Sequence, residues 1–438
     1  MRGNRIAFQT FGCKLNFSET STISRIVQEK GYQPVDHRDI ADVYVIHSCS
    51  VTGHAEKKCR AAIRQVKKRN PKARVAVIGC FAQLRPELLK GFEEVDLILG
   101  SNEKYQLHEY LDQLENNPSF DREKYYADEI QKSEKFHPAY SMGDRTRSFL
   151  KIQDGCDYFC AYCTIPMARG RSKSSNISET MQLAKEIASS GIREIILTGV
   201  NIGDFGRKHN EDLLGLMYEL AELRGIERIR LSSIEPDLLV DGIIDLVHQS
   251  DKYLAHFHIP LQSGSDKILK LMKRKYERSL FDNRVRKIKS LMPHACIAAD
   301  VIVGFPGESD EDFMETYDYL KMSDLSYVHV FTYSERPGTR ASQMKESVPG
   351  WQKKERSQAL HRLSDEKKHK FYFDNKGKVA EVLFESDNHS GNIHGWTGNY
   401  IRVKTAFDPS LINNIYTVSL DELDQDNIFK CTIINQQT

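Results

Sequence analysis

Three cysteines crowded into one short loop, Gly155-Cys156-Asp157-Tyr158-Phe159-Cys160-Ala161-Tyr162-Cys163, constrain this chain more than any other feature. The loop directly follows a strand-like run, Phe149-Leu150-Lys151-Ile152. Thiolates suit soft metals and iron–sulfur clusters. Three of them can aim at one cluster, but they cannot close a tetrahedral zinc site without a fourth ligand. No second Cys-x-x-Cys pair supplies one. A four-iron cluster on three cysteines keeps one iron open for a substrate. The alternative is a set of buried structural thiols, or a zinc ribbon missing its partner.

The remaining cysteines stand at 13, 49, 59, 80, 296 and 431, making nine in a chain of 438 residues. The number is odd and the opening Met1-Arg-Gly-Asn-Arg-Ile-Ala-Phe has no apolar leader core. Reduced, metal-binding thiols in a cytoplasmic protein are expected, not a disulfide framework. No apolar run reaches the ~18 residues of a membrane span, so no membrane association is expected. Sixty-two Lys+Arg against 61 Asp+Glu give a formal charge of +1. That excludes a wholly basic nucleic-acid coat protein but not a local basic face.

Strand and helix patterns alternate along most of the chain, which predicts an α/β protein. In residues 1–102, Ile6-Ala7-Phe8-Gln9-Thr10, Val43-Tyr44-Val45-Ile46, Val75-Ala76-Val77-Ile78 and Val95-Asp96-Leu97-Ile98-Leu99-Gly100 read as buried parallel strands of a doubly wound domain. Residues 103–145 read as a helix and a linker. Residues 146–370 carry six further strand candidates at βαβ spacing, from Phe149 to Phe331. Six units are too few for a closed eight-stranded barrel, so a partial (β/α)6 barrel is expected, active at the strand C-termini. Residues 371–438 change texture to short strands split by Gly and Asn, a small all-β barrel.

Cys13, Cys49 and Cys80 each fall just after a different predicted parallel strand. Loops after parallel strands gather on one edge of the sheet, so these distant cysteines can converge. Buried cysteine is common and inert, but three of three such placements is hard to ascribe to packing. Cys59 lies in a helical pattern, Cys296 just before a strand and Cys431 within a barrel strand; these are read as packing thiols.

The cluster loop, with Tyr162 before its last cysteine, resembles the radical S-adenosylmethionine signature. Thr10-Phe11-Gly12-Cys13-Lys14-Leu15-Asn16, Ser48-Cys49-Ser50-Val51-Thr52 and Gly79-Cys80-Phe81-Ala82-Gln83 resemble the three cysteine segments of methylthiotransferases. The likeness spans essentially the whole chain, and the terminal β-domain resembles a TRAM domain. It implies two [4Fe-4S] clusters, one on Cys156, Cys160 and Cys163 and an auxiliary one on Cys13, Cys49 and Cys80. It also implies S-adenosylmethionine chelating the open iron, cleaved on reduction to a 5′-deoxyadenosyl radical. An electron donor such as flavodoxin or ferredoxin would feed it. Segments at strand C-termini would line the cofactor: Tyr162, Gly199, Asn201, Ser233, Glu235, Gln262, Ser263, Asp300 and Gly304. Singly, each Gly after a strand is usually only a turn.

Methylthiotransferases divide by substrate: isopentenyladenosine in tRNA, threonylcarbamoyladenosine in tRNA, or an aspartate of ribosomal protein S12. Gly12-Cys13-Lys14-Leu15-Asn16 with Glu19-Thr20, Asp144-Arg145-Thr146-Arg147 and the run from His258 to Ser265 look most like the threonylcarbamoyladenosine branch. The S12 branch typically places Pro after this cysteine, and the isopentenyl branch Gln-Met. Asn201-Ile202 departs from the branch, which often has His-Thr. The expected reaction is methylthiolation of carbon 2 of adenosine 37 carrying a threonylcarbamoyl group. Arg169 or Arg171 could pair the carboxylate of that group. The alternatives are S12 methylthiolation, or a non-catalytic, redox-sensing tRNA-binding protein. Two basic stretches, Lys57–Arg74 and Lys273–Lys289, are candidate phosphate contacts or solvated helix faces. From Asp374 onward five Lys/Arg meet nine Asp/Glu, an acidic balance that is awkward for an RNA-binding module.

Overall fold

A computed structural model describes residues 4–49, 53–116, 124–143 and 146–436. Ser50-Val51-Thr52 and Asp144-Arg145, quoted above within motifs, lie outside the described residues.

The first unit is β1 (Arg5–Thr10), α1 (Lys14–Glu29), β2 (Gln33–Val35), β3 (Val43–Ser48), α2 (Gly53–Arg69), β4 (Arg74–Gly79), α3 (Cys80–Leu84), α4 (Pro86–Lys90), β5 (Leu97–Leu99) and α5 (Leu107–Asn116). Its strands are parallel in the order β2-β1-β3-β4-β5, extended by β6 (Tyr125–Tyr126). The all-apolar strand texture has a direct cause. Tyr44, Ile46, Val75 and Val77 enter one core, while Val43, Val45, Ala76 and Ile78 enter the core on the other face. Alternate residues point to opposite faces of a strand, so a sheet covered on both sides admits no polar face.

The 103–145 segment is more than the expected helix and linker. After α5 it lends β6 to the first sheet and β7 (Ala139–Tyr140) antiparallel to the next. Two-residue strands are too short to show any periodicity in sequence.

The second unit continues with β8 (Arg147–Lys151), β9 (Gln153–Asp154), α6 (Ile165–Arg169), β10 (Lys173–Ser174), α7 (Ile177–Ser189), β11 (Glu194–Thr198), α8 (Leu213–Ala221), β12 (Arg228–Leu231) and α9 (Asp241–Gln249). It ends with β13 (His256–His258), α10 (Asp266–Leu271), α11 (Arg278–Leu291), β14 (Cys296–Val303), α12 (Asp310–Met322), β15 (Tyr327–Thr332) and α13 (Gly350–Phe373). The major strands run parallel as β8-β11-β12 and β13-β14-β15, joined by bridges Ile229–Tyr253 and Ser233–His258. This is the expected six-stranded partial barrel. Cys296, expected just before a strand, is its first residue and fully buried.

The terminal unit is a closed barrel of β16 (Val379–Phe384), β17 (Asn392–Thr397), β18 (Arg402–Ala406), β19 (Ile415–Leu423) and β20 (Phe429–Gln436). The strand β17 escapes a propensity reading because it contains Gly395. A Cβ there would lie 2.4 Å from Val382 and 2.8 Å from the Leu383 carbonyl, so close strand packing requires glycine. The barrel is clamped to β12. Arg228 and Arg230 donate to the carbonyls of Trp396, Thr397 and Gly398 at 3.0–3.2 Å, while their Nε atoms hold the buried Glu194.

Candidate active site and its two cysteine sets

The loop carrying Cys156, Cys160 and Cys163 follows β8 and β9 and leads into α6. Gly155 makes its first turn possible. Its φ is +69°, and a Cβ would fall 2.0 Å from the Arg171 carbonyl, so no other residue fits. Backbone amides of Tyr158 and Ile165 donate to Cys156 Sγ and Cys163 Sγ, both at 3.4 Å. Arg274 Nη1 lies 3.0 Å from Cys160 Sγ, and its other arm pairs with Glu235. Such donors favour a sulfur that carries negative charge. Burial pushes the Cys163 thiol up to about 12, with Cys156 and Cys160 raised as well. All nine cysteines are free thiols.

Cys13 is the N-cap of α1, Cys49 follows β3 and Cys80 begins α3, all at the C-terminal edge of adjacent strands β1, β3 and β4. Gly12 packs so tightly that a Cβ there would lie 2.7 Å from Cys49 Cβ and 3.0 Å from its Sγ. Asn16 ties the loops together: its Nδ2 donates to the carbonyls of Phe11 (2.8 Å) and Ser48 (3.2 Å). The Cys13 thiol is raised by burial and by the nearby Cys80, against the pull of Arg169.

Between the two cysteine sets lies a buried ionic cluster. Glu19 accepts from Lys104 (2.6 Å), Lys151 (2.8 Å) and Arg169 (2.9 and 3.0 Å). Asp154 accepts from Lys151 (2.7 Å) and Arg169 (3.0 Å), and Arg169 Nη2 donates to Asn16 Oδ1 at 2.8 Å. Three cations thus face two carboxylates. Burial alone would raise the Glu19 carboxyl, but these cations hold it well below the usual range. The surplus positive charge lies toward the thiols of Cys13 and Cys80. Three thiolates on a four-iron core carry net negative charge, so this setting fits a cluster. The sequence reading of Arg169 as a carboxylate reader is therefore corrected: it is 2% exposed and locked in this interdomain cluster. Arg171 is exposed, paired with Asp157 and lying over Phe159.

The other expected site residues separate into groups. Tyr162, Gln262 and Asp300 line one cavity of about 230 Å3 beside Cys163. Gly199 and Ser233 line a second, of about 430 Å3, together with Cys13. His258 joins the two: Ser233 Oγ is 2.5 Å from its Nδ1, and Asp300 is 2.9 Å from its Nε2. Gln262 adopts a left-handed φ of +67°, fixed by ladder bonds to Asp300 and Ile302, a strain typical of functional loops. Glu235 is pushed up to about 7 by burial, partly offset by Arg274. Asn201 is buried with its Oδ1 unpartnered, and its amide donates to Gln153 at 2.8 Å. Ser263 and Gly304 are not in either cavity lining. Ser263 is buried against Thr316, and Gly304 packs under Lys353. Sequence reasoning treated Arg274 only as part of a basic stretch and quoted His258 only within a motif. A lone arginine on a charged helix approach carries no local signal of what it touches.

Residues 5–100 match the uncharacterized protein family UPF0004, and residues 150–320 match the radical SAM superfamily. The chain is 39% identical over 406 residues to the threonylcarbamoyladenosine tRNA methylthiotransferase MtaB of Aquifex aeolicus, covering 91% of this chain and 96% of that protein. It is 37% identical to the Bacillus subtilis protein of the same name, covering 95% and 93%. The tRNA-2-methylthio-N(6)-dimethylallyladenosine synthase of Clostridium perfringens is 32% identical, with 94% of each chain covered. Among solved structures, the radical S-adenosylmethionine methyltransferase TsrM of Kitasatospora setae superposes with a TM-score of 0.58 at 13% identity, over 78% of this chain and 74% of that one. That likeness shows a shared fold. Fold and sequence together define a radical SAM enzyme. More narrowly, the chain belongs to the radical S-adenosylmethionine tRNA methylthiotransferase family.

Proposed function

We propose that this enzyme methylthiolates carbon 2 of N6-threonylcarbamoyladenosine at position 37 of tRNA. The observation that carries the reading is that Cys13, from the first domain, lines the same cavity as Gly199, Ser233 and His258 from the barrel mouth. A base held there would stand between the two cysteine sets. Cys156, Cys160 and Cys163 would hold one [4Fe-4S] cluster and Cys13, Cys49 and Cys80 a second. With S-adenosylmethionine the first would supply the one-electron chemistry that removes a hydrogen atom from carbon 2, the second would supply the sulfur, and a second S-adenosylmethionine would supply the methyl group.

The chain's own residues position and screen. Tyr162, Gln262 and Asp300 beside Cys163, with Glu235 and Arg274 beside Cys160, would border the cofactor from one cavity, and Gly199 and Ser233 from the cavity shared with Cys13, with Asn201 buried next to Gln153. Ser263 and Gly304 support the loops from behind. Arg274 orients Cys160 and Glu235 through one planar fork. The choice of threonylcarbamoyladenosine over dimethylallyladenosine rests on the higher identity to relatives bearing the former name. A flavodoxin or ferredoxin serves as electron donor, in a cytoplasm where the thiols stay reduced. Among the described residues no helix is long and apolar enough to cross a membrane.

The test is mass analysis of nucleosides after incubating reconstituted enzyme with tRNA bearing adenosine, isopentenyladenosine or threonylcarbamoyladenosine at position 37, with S12 protein as a fourth substrate. Methylthio product on the third alone is expected. Product on S12 alone would mean that the acidic terminal domain was the better guide.

A further inference from the structure

The cavity of about 430 Å3 runs from Cys13-Lys14-Leu15 and Thr198-Gly199 at the strand C-termini to His256, Tyr327 and Tyr400 near their N-termini. Tyr400 of the terminal barrel closes the floor, stacked 4.4 Å from His256 and held under Arg230. Lys14, half-buried on the wall, makes no hydrogen bond or ion pair among the described residues.

The carboxylates nearby are already engaged. Asp300 is bound by His258 at 2.9 Å. Glu194 is bound by Arg228 (2.9 Å) and Arg230 (3.2 Å), and Glu385 by Arg147 (2.8 Å). Arg147, Arg228 and Arg230 thus hold Glu194 and Glu385, His258 holds Asp300, and Lys14 makes no ion pair among the described residues. Its ammonium faces the cavity and is available to an anionic group that enters it.

The geometry points to Lys14 as the residue that reads the carboxylate of the threonylcarbamoyl group. This rests on the proposed substrate and deepens it. The modified base presents its ring near Cys13 and the barrel mouth, and its N6 substituent extends into the cavity, where His256 and His329 offer hydrogen bonds to the ureido and hydroxyl groups. A site with a buried unpaired donor rejects a ligand lacking the matching acceptor more strongly than an apolar pocket rejects a size change. An isopentenyl group, having no carboxylate, leaves Lys14 unpaired.

The experiment uses reconstituted full-length enzyme and two tRNAs, one with threonylcarbamoyladenosine at position 37 and one with the methyl ester of that group. Wild-type enzyme should bind the acid about ten- to a hundredfold more tightly than the ester, the scale of a lost charge-assisted hydrogen bond. Lys14→Gln should bring the ratio near one, and Lys14→Arg should keep most of it. The absorption spectrum of each variant's clusters reports whether the adjacent cysteine is still loaded. A second measurement needs no variant: the acid tRNA, and not the ester, should protect Lys14 of the wild type from acetylation read by mass spectrometry. Equal binding of acid and ester by wild type, an unchanged ratio in Lys14→Gln, equal acetylation, or protection by S12 protein alone would each overturn the assignment. The substrate reading fails differently: methylthio product would then be absent from threonylcarbamoyladenosine tRNA whatever Lys14 does.

Discussion

Cys156, Cys160 and Cys163 lie in one loop, whereas Cys13, Cys49 and Cys80 sit on three loops that only the β1-β3-β4 sheet brings together. The first set depends on a turn set by Gly155 and on Arg274 from across the barrel. The second depends on a correctly paired sheet, on Asn16, and on Arg169 reaching over from the other domain. A local ligand set survives loosening of the fold around it, because closing a short loop costs little entropy. A dispersed set disappears with the tertiary contacts that assemble it. The difference suggests where each centre is fragile.

The largest effect should come from the cysteines themselves. Replacing Cys156, Cys160 or Cys163 by Ala should abolish 5′-deoxyadenosine formation. The triple Ala variant at 13, 49 and 80 should still form it while giving no methylthio nucleoside, with iron content reduced to roughly half of the wild-type value. A triple variant with an intact first cluster and no 5′-deoxyadenosine would break the division of labour. Cys59→Ser, C296S and C431S should change activity little.

Next comes the interdomain cluster. Arg169→Met leaves Glu19 and Asp154 with less compensation, a loss on the order of 3–5 kcal/mol for a broken buried pair. It should also strip Asn16 of its anchor. Iron bound by the first domain should fall before that in the barrel loop, and amide exchange around Phe11, Cys13 and Cys49 should quicken. Equal loss from both centres would mean that Arg169 serves global stability only.

Acid should separate a third region. Burial works to raise the Glu194 carboxyl, but Arg230, Arg228 and Arg147 outweigh it and bring it down to about 2. Its folded value lies below the ordinary one. The stabilisation is therefore complete above about pH 4.5 and is lost as pH falls toward 2. At roughly 1.4 kcal/mol per unit this is on the order of 3 kcal/mol. Since Arg228 and Arg230 also clamp the terminal barrel, hydrogen exchange in β17 should accelerate over that window, and Glu194→Gln should remove the pH dependence.

The smallest effect concerns the basic stretches, which the structure makes unequal. In the second, Arg278, Arg284, Arg286 and Lys287 are paired with Glu315, Asp241, Asp282 and Asp245, and Arg274 belongs to the site. In the first, Lys67 and Arg74 are paired with Asp96, but Lys57, Lys58 and Lys68 are exposed without an ion pair among the described residues. Neutralising Lys57, Lys58 and Lys68 together should lower the slope of log tRNA affinity against log salt by up to about 2–3. The Arg284→Gln, Arg286→Gln pair should leave it nearly unchanged. Equal slopes would return the first helix to plain solvation.

The sequence alone determined what is local or periodic. Three thiols in one loop, apolar runs alternating with helical patterns, and a shift to short Gly- and Asn-split strands each leave a signature within a few residues. They were enough for the α/β organisation, the six-stranded partial barrel and the terminal β-barrel. That the loops carrying Cys13, Cys49 and Cys80 share one sheet edge was legible too, because parallel strands oblige their following loops to one edge. What only tertiary structure decided is which charges meet. Glu19 entered the sequence reading only as part of a branch motif, and it is the buried centre of a cluster fed by Lys104, Lys151 and Arg169. Arg169 and Arg171 are indistinguishable as residues in a loop, yet one is sealed between domains and the other faces solvent. Lys14 makes no ion pair among the described residues, since Arg147, Arg228 and Arg230 from other strands hold Glu385 and Glu194 and His258 holds Asp300. Coulomb partners are set by distance in space, and a side chain several residues along a helix or across a domain boundary leaves no periodic trace in the chain.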